Sequence, residues 1–235
     1  YFPGDAVNGA NYDHAGFVTT GGLLGKYSDG GGHAVVKWVR RNLPDFKPRK
    51  ILEIGGTVGH SSLPLAQAFP EAEMTVVDLG APVLRYGLAR AKSLGVDNIS
   101  FVQASGEDLS IYPDASFDWI QTTMFLHELS AESMPKILAE CRRVLKPGGR
   151  VFCLEFSEPA RWLAPFYRLW SRTAIPVLGA VVSGRREAYR YLVESIRQFP
   201  RPERFAGMMR DAGFRRVSST RLTGGVVAVH RGDKL

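Results

Sequence analysis

The sequence has little cysteine and lacks long apolar runs. Two cysteines, Cys141 and Cys153, are too few for a disulfide framework in 235 residues, and their apolar neighbours indicate core positions in a reducing compartment. No apolar run approaches the roughly 20 residues that a membrane-spanning helix needs. The five histidines show no metal-ligand spacing. These absences argue against a disulfide-stapled domain, a helical membrane span and a histidine metal centre.

Basic residues are concentrated in the last third of the chain. Residues 1–154 hold 15 Lys and Arg against 16 Asp and Glu, whereas residues 155–235 hold 15 against seven. Nearly all of these late cations are arginines, which bind anionic surfaces such as phospholipid headgroups or nucleic acid. A helical face that only meets water would give the same excess, so both interpretations stay open. Because no RNA-module signature accompanies the arginines, nucleic acid is the less favoured partner.

A glycine-rich turn near residue 55 is the organising motif. The apolar run Lys50–Ile54 (KILEI) carries Glu53 near its end, the turn Gly55–Gly59 (GGTVG) follows, and a helical pattern covers Ser61–Phe69. Strand, turn and helix N-terminus in this order let a polar ligand touch bare backbone amides. Glu53 would repel a pyrophosphate but suits the amino group of an amino acid.

A second acidic group lies 23 positions after Gly55. The apolar run Met74–Val77 (MTVV) ends on Asp78, and a carboxylate at the tip of a second strand is placed to accept hydrogen bonds from two ribose hydroxyls. The pattern therefore predicts a nucleoside-bearing ligand across the first two strand ends. An adenine ring is expected at the end of the third strand, at Ser105–Asp108.

Strands that alternate with helices predict an α/β fold, a doubly wound seven-stranded and mostly parallel sheet with a helical cap insert. The further strands are predicted at Ile99–Val102, Ser116–Thr123, Arg150–Phe156, Phe214–Ser218 and Val226–His230, and further helices at His33–Leu43, Ala81–Leu94 and Ala131–Leu145. Lys146–Gly149 (KPGG) is expected as the turn that ends the last of these helices. Asp118 opens its strand and is expected to be structural.

Two less regular segments frame the predicted core. Residues 1–48 are expected to form a glycine-rich lid with short helices, and residues 49–156 the cofactor-binding core. Residues 157–200 are rich in aromatics and arginine and are expected to cap the substrate. Residues 201–235 are expected to form the last helix and the final strand pair of the same domain. Interleaved Trp, Tyr and Arg also suit a membrane interface.

The glycine turn resembles the first motif of class I S-adenosylmethionine-dependent methyltransferases, whose acidic residue and glycines hold the methionine part of the cofactor. The phrases PDASFDWI at Pro113–Ile120 and RVLKPGGRV at Arg143–Val151 are also similar to that superfamily. Thr57 stands where a glycine is usual, and it either narrows the site or bonds the ligand carboxylate. Ser105 stands where an acidic residue is usual, and Glu107 or the Gly106 backbone could substitute. The expected contacts of S-adenosyl-L-methionine are Glu53, Gly55, Gly56, Thr57, Gly59, Asp78, Leu79, Ser105, Gly106, Glu107 and Met124.

From Leu145 to the C-terminus the chain resembles the ubiquinone/menaquinone biosynthesis C-methyltransferase family. The matching segments are LEFSEP at Leu154–Pro159, IPVLG at Ile175–Gly179, YRYLVESIRQFP at Tyr189–Pro200, MMRDAGF at Met208–Phe214 and LTGGVVAVHRG at Leu222–Gly232. The resemblance implies methylation of a ring carbon of a lipophilic substrate, a prenylated benzoquinol or naphthoquinol. It also implies a location on the cytoplasmic face of a membrane, and the excess of arginine in the last part of the chain suits an anionic surface there. A homodimer and a biosynthetic complex are both open as assemblies.

Three residues are candidates for the chemistry. The family's Tyr-Asp pair matches Tyr12 and Asp13 on the substrate side, and its catalytic Arg-Asn pair is replaced here by His127 and Glu128. A quinol carbon becomes nucleophilic when the ring hydroxyl loses its proton, which a histidine can take near neutral pH. Glu128 or Tyr12 would orient His127. In the alternative interpretation, His127 is only a core or helix-capping residue.

Two other functions stay open at this point. A methyltransferase that acts on nitrogen or oxygen of a small molecule or phospholipid amine agrees with the altered Arg-Asn position and the glycine-rich N-terminus. A non-catalytic scaffold of a membrane-bound biosynthetic complex agrees with the departures at Thr57 and Ser105.

Overall fold

The computed structural model describes residues 7–20, 22–167, 169, 170, 173 and 194–235. Predictions for the middle of the insert, including IPVLG at Ile175–Gly179 and most of the arginine-rich stretch before residue 194, lie outside the described residues.

Seven strands form one mixed sheet. They are β1 (Lys50–Ile54), β2 (Glu73–Asp78), β3 (Ile99–Gln103), β4 (Phe117–Thr123), β5 (Leu145–Phe156), β6 (Arg215–Leu222) and β7 (Val227–Asp233). Their order is β3-β2-β1-β4-β5-β7-β6. Strands β1 to β5 run parallel, and β7 is antiparallel to its neighbours β5 and β6. The predicted doubly wound, mostly parallel sheet is confirmed.

Helices cover both faces of the sheet because successive strand residues point to opposite sides. They are α1 (Asn8–Thr19), α2 (Gly30–Asn42), α3 (Ser62–Ala68), α4 (Ala81–Ser93), α5 (Ser133–Val144) and α6 (Pro202–Asp211). Helices α2, α3 and α4 pack on one face around Trp119, and α5 and α6 pack on the other around Ile120. In the part of the chain that the structure describes, no helix is both long and apolar enough to cross a membrane.

The strand order places the functional edge between β1 and β4. From β1 the chain builds outward to β2 and β3, and it then returns to the other side of β1 to form β4 and β5. A crevice opens where such a sheet reverses direction, at the carboxyl ends of the strands. The glycine turn, Asp78 and Met124 therefore lie together at the carboxyl ends of the strands.

Helix α5 ends at Val144, so the prediction that Lys146–Gly149 follows the end of a helix is confirmed, but these residues belong to β5 and the predicted turn is wrong. The register of β4 against β5 shifts there, from Phe117 opposite Leu145 to Trp119 opposite Arg150, so β5 holds three extra residues at this point of the ladder. The other predicted elements differ at their ends: α2 begins three residues earlier than expected and β6 continues to Leu222.

Two structural expectations are confirmed. Asp118 accepts hydrogen bonds from the backbone N–H groups of Arg49 and Lys50 at 2.9 and 2.8 Å, so it anchors the start of β1 to β4. Cys141 and Cys153 are buried free thiols, and burial raises the pKa of Cys153 to about 12.

His230 on β7 is a buried ring whose two nitrogens have no hydrogen-bond partner among the residues described. It packs edge-on against Phe205 with ring centroids 4.9 Å apart. Burial lowers the pKa of the imidazole from 6.5 to about 4. Since the unfolded chain takes up this proton near pH 6.5, the contribution to stability is complete above that pH and is lost as the pH falls toward 4.

Replacing His230 by Phe should flatten the acid dependence of stability. Because the folded protein keeps this imidazole neutral, the free energy of unfolding falls by on the order of 3 kcal/mol across this pH window, at about 1.4 kcal/mol per pKa unit. The measurement is denaturant unfolding of both proteins at neutral and at mildly acid pH. His14→Gln, a change at an exposed histidine, is the control and should keep the wild-type dependence. If the free energy of unfolding of His230→Phe falls with acid pH as steeply as that of wild type, the ring of His230 is not held neutral.

Candidate active site

The glycine turn after β1 bends too tightly to carry side chains at its glycines. Gly55 and Gly59 have φ of 73° and 84°, which glycine adopts without steric cost. A Cβ on Gly55 would lie 2.3 Å from the ring of Phe125, and one on Gly56 would lie 2.6 Å from Val76. The predicted bend of bare main chain is therefore present, and it packs directly on the segment after β4.

Glu53 lies wholly buried beneath this turn. Its two carboxylate oxygens accept hydrogen bonds from the hydroxyls of Ser61 and Ser62 at the start of α3. Burial raises the pKa of Glu53, although hydrogen bonds from the two serines and from Thr123 act to lower it. The carboxylate ties the end of β1 to α3 and has no exposed surface, so its contact with an amino group remains a prediction. The two serines are partners that the sequence reasoning missed.

Asp78 ends β2 at the crevice. Its carboxylate accepts the backbone N–H of Thr57 at 3.2 Å and that of Gly80 at 2.8 Å. Burial raises the pKa of Asp78, and the backbone hydrogen bonds partly offset this. Each carboxylate oxygen still has a second lone pair for a ribose hydroxyl. Leu79, which is 65% exposed, offers an apolar surface beside it.

The end of β3 presents main chain rather than a carboxylate at the predicted adenine position. Ser105 Oγ accepts the N–H of Glu107 at 3.1 Å. Gly106 packs against Ile54, where a Cβ would lie 2.5 Å from a methyl group. The carboxylate of Glu107 pairs with Lys136 at 3.3 Å. Glu107 is therefore paired with a lysine, and the contact of either expected substitute, Glu107 or the Gly106 backbone, with adenine stays a prediction.

Two residues at the crevice hold left-handed backbone without being glycine. Thr57 has φ of 46° and Met124, directly after β4, has φ of 50°. A branched residue such as threonine rarely adopts this conformation, and strained backbone is concentrated at functional sites. The strain at Thr57 explains why glycine is usual at this position of the motif.

The segment after β4 is held by a buried carboxylate on β5. Glu155 accepts the backbone N–H groups of Phe125 at 2.7 Å and of Leu126 at 2.6 Å. Its other oxygen lies 3.0 Å from Nδ1 of His127. The His127 ring is 2% exposed and meets Phe156 edge-on, with centroids 4.9 Å apart. The sequence reasoning missed Glu155, although the segment LEFSEP contains it.

The expectation that Glu128 or Tyr12 orients His127 is wrong, because Glu155 occupies the Nδ1 side of the ring. Glu128 lies beside this pair with accessible surface: partial burial and the charges of Glu155 and Asp78 raise its pKa, although His127 lowers it. Tyr12 is instead stacked on His60, with ring centroids 5.9 Å apart.

A polar cluster fastens α1 to the glycine turn and to α4. The carboxylate of Asp13 lies 2.6 Å from His60 Nε2 and accepts hydrogen bonds from the Tyr86 hydroxyl at 2.9 Å and from Arg90 at 3.1 Å. Burial acts to raise the pKa of Asp13, but these three partners outweigh it and lower the pKa. Asp13, implied to lie on the substrate side, therefore binds protein groups and holds the N-terminal helix over the turn.

This sheet order, with a glycine turn after the first strand and a carboxylate at the end of the second, defines a class I S-adenosylmethionine-dependent methyltransferase. A SAM-dependent methyltransferase from Aquifex aeolicus superposes with a TM-score of 0.65 at 16% identity, covering 98% of this chain and 99% of that one. A phosphoethanolamine N-methyltransferase of Haemonchus contortus, in complex with S-adenosyl-L-methionine, superposes with a TM-score of 0.63 at 18% identity. The superposition covers 93% of this chain and 46% of that one.

The chain belongs to the ubiE/COQ5 methyltransferase family, whose model matches residues 33–234. A relative from Brucella anthropi, called ubiquinone/menaquinone biosynthesis C-methyltransferase UbiE, is 37% identical over 230 residues, covering 96% of this chain and 84% of that protein. A relative of the same name from Methylobacterium nodulans is 42% identical over 194 residues, covering 80% of this chain and 75% of that protein. The resemblance seen from Leu145 onward thus extends through the cofactor-binding core.

S-adenosylmethionine is the cofactor of this enzyme, and the crevice suits it. Gly55 and Gly56 leave main chain where side chains would clash, and Asp78 keeps lone pairs at the end of β2. Leu79 adds an apolar surface for a base. Among the described residues, no group of His, Cys, Asp and Glu could hold a metal ion.

Thr57→Gly should raise the free energy of unfolding by about 1 kcal/mol. A non-glycine residue in left-handed backbone costs roughly 1–3 kcal/mol, and the chain entropy of glycine offsets about 0.5–1 kcal/mol of the gain. Denaturant unfolding measures the change. Thr57→Ala is the matched control, since it keeps a Cβ and most of the strain. A glycine variant less stable than wild type would contradict the strain argument.

Proposed function

We propose that this methyltransferase acts on a ring carbon of a prenylated benzoquinol or naphthoquinol in quinone biosynthesis. The observation that carries the proposal is the identity of 37% over 96% of the chain with a protein called a ubiquinone/menaquinone biosynthesis C-methyltransferase. A crevice with an apolar rim and a buried histidine beside it supports the same chemistry.

Different residues of the crevice would bind different parts of the cofactor. When bound, S-adenosylmethionine supplies an electrophilic methyl group on sulfur. The glycine turn and Asp78 would hold its amino-acid and ribose ends, and the Gly106 backbone would meet the base. Holding the acceptor carbon in line with the donor can account for most of the rate, because a fixed geometry removes the entropy cost of the encounter.

His127 is the proposed general base. It would take the proton of the quinol hydroxyl, so that the electron pair of the oxygen makes the neighbouring ring carbon nucleophilic. The ring lies within the wall of the crevice, between Glu155 and Phe156. Glu128 beside it would face the substrate as a second polar group.

Residues 1–48 and 157–200 would close the site as a lid and a cap. The cluster around Asp13 supports the lid, since it fixes α1 against the residue that follows the glycine turn. Exposed Trp162 and Phe166 at the start of the insert support an apolar cap. A closed site would exclude water from the reacting carbon.

A small-molecule N- or O-methyltransferase is the second candidate, and His127 and Glu128 in place of the family's Arg-Asn pair favour keeping it. Incubation with labelled S-adenosylmethionine and a demethylated prenylated quinol separates the two. A labelled ring-carbon methyl group is expected. Label only on oxygen, or no transfer to the quinol, would overturn the quinol proposal.

His127→Ala should lower kcat about 100-fold or more, since a general base contributes roughly 10²–10⁴-fold. Calorimetry with S-adenosylmethionine should show unchanged affinity, because the ring does not line the cofactor turn. His33→Ala, at an exposed histidine, is the control and should keep wild-type turnover. Unaltered turnover of His127→Ala would remove it as the base.

We further propose that the cap face binds anionic membrane from the cytoplasmic side. Trp162 and Phe166 are each 70% exposed, Leu169 is 64% exposed and Trp170 is 44% exposed. Large exposed apolar side chains next to arginines suit the headgroup region, where the rings enter the lipid and the cations meet phosphate. A lipophilic quinol would then be taken directly from the bilayer.

Binding to vesicles that contain anionic lipid should weaken as salt rises, because the screening length falls from about 10 Å at 0.1 M to about 3 Å at 1 M. Replacing Trp162 and Phe166 by Ser should reduce binding further. Leu235→Ser, at an equally exposed residue beside the start of β5, is the control and should bind as wild type. Salt-insensitive binding, or none, would refute the electrostatic attachment.

A further inference from the structure

Glu155, next to the last residue of β5, is a wholly buried carboxylate that meets three nitrogen atoms of one segment. Its Oε1 accepts the N–H groups of Phe125 and Leu126 at 2.7 and 2.6 Å, and its Oε2 lies 3.0 Å from His127 Nδ1. The side chains of Glu155 and His127 are 0% and 2% exposed. A contact so enclosed is held in one geometry rather than exchanged with water.

The arrangement assigns the proton on the imidazole. Oε1 of Glu155 accepts two amide hydrogens, and a carboxylate offers only lone pairs to its neighbours. Nδ1 of His127 must therefore carry a hydrogen and donate it. In a neutral imidazole the other nitrogen, Nε2, is then the proton acceptor.

We propose that Glu155 is a positioning residue for catalysis, which fixes His127 as its Nδ1–H tautomer and so makes Nε2 the base. The inference rests on the proposed role of His127. The proton of the substrate hydroxyl would pass to Nε2, and the negative charge of Glu155 would stabilise the resulting imidazolium across the Nδ1 hydrogen bond.

A purely structural role is the competing account, since Glu155 also fixes the turn through Phe125 and Leu126. The two accounts differ in what the charge does. A structural carboxylate needs only an oxygen that accepts the two amides, whereas a positioning carboxylate must also accept from Nδ1. A glutamine keeps the first ability and loses the second.

Glu155→Gln tests this difference. The glutamine oxygen should keep the two amide hydrogen bonds, and its NH₂ group should then donate to His127 Nδ1, which moves the ring hydrogen to Nε2. The ring-nitrogen NMR signals of His127, recorded with the imidazole neutral, should exchange their protonated and unprotonated character. We expect kcat to fall about 100-fold or more with little change in cofactor affinity, because a histidine in the wrong tautomer cannot accept the proton.

Asp118→Asn is the matched control. Asp118 also accepts two backbone N–H groups, from Arg49 and Lys50, but at the opposite end of the sheet. This variant should show the loss of stability that follows from neutralising such a carboxylate, with wild-type kcat and an unchanged His127 tautomer.

A double variant shows whether Glu155 acts through His127. In a His127→Ala background, Glu155→Gln should lower kcat no further, because residues that act as one unit are not additive. An unchanged tautomer, or an unchanged kcat in an enzyme that does methylate the quinol, would overturn the positioning role. A wild-type protein that does not methylate the quinol would overturn the proposed substrate, while the nitrogen signals still report the tautomer.

Discussion

Carboxylates at the strand ends hold the functional edge of this methyltransferase together. Glu53, Asp78 and Glu155 lie at or next to the last residue of β1, β2 and β5, and each accepts hydrogen bonds from a segment that has just left the sheet. A buried carboxylate is costly unless several donors satisfy it. Each of these groups therefore fixes the sharp bend around it, and together they shape the crevice.

The strained backbone of the crevice depends on the same bonds. Thr57 stays in left-handed backbone with its N–H bonded to Asp78, and Met124 does so one residue before the amides that Glu155 accepts. The Phe125 ring packs on Gly55 and joins the two halves of the edge. Strain of this kind persists only where the surroundings hold it, and the hydrogen bonds of Asp78 and Glu155 at or next to Thr57 and Met124 supply part of that support.

Two polar clusters on either side of the crevice have different tasks. The cluster of Glu155 and His127 fixes the segment that follows β4. The cluster of Asp13, His60 and Arg90 joins the N-terminal helix to the glycine turn. The N-terminal helix and the cofactor turn are therefore connected through His60, which directly follows Gly59.

The sequence by itself determined the alternation of strands and helices, the glycine turn and the acidic strand ends, because these follow from local periodicity and from conformations that only glycine adopts freely. It predicted correctly that a helix ends before Lys146–Gly149, but it wrongly assigned these residues to a turn, because pairing with distant strands extends β5 through them. Only the tertiary structure decided that Glu155 holds His127 and that His230 is buried with no hydrogen-bond partner among the described residues. Those contacts arise from the register of β5 against its neighbours, a long-range property that no local pattern encodes.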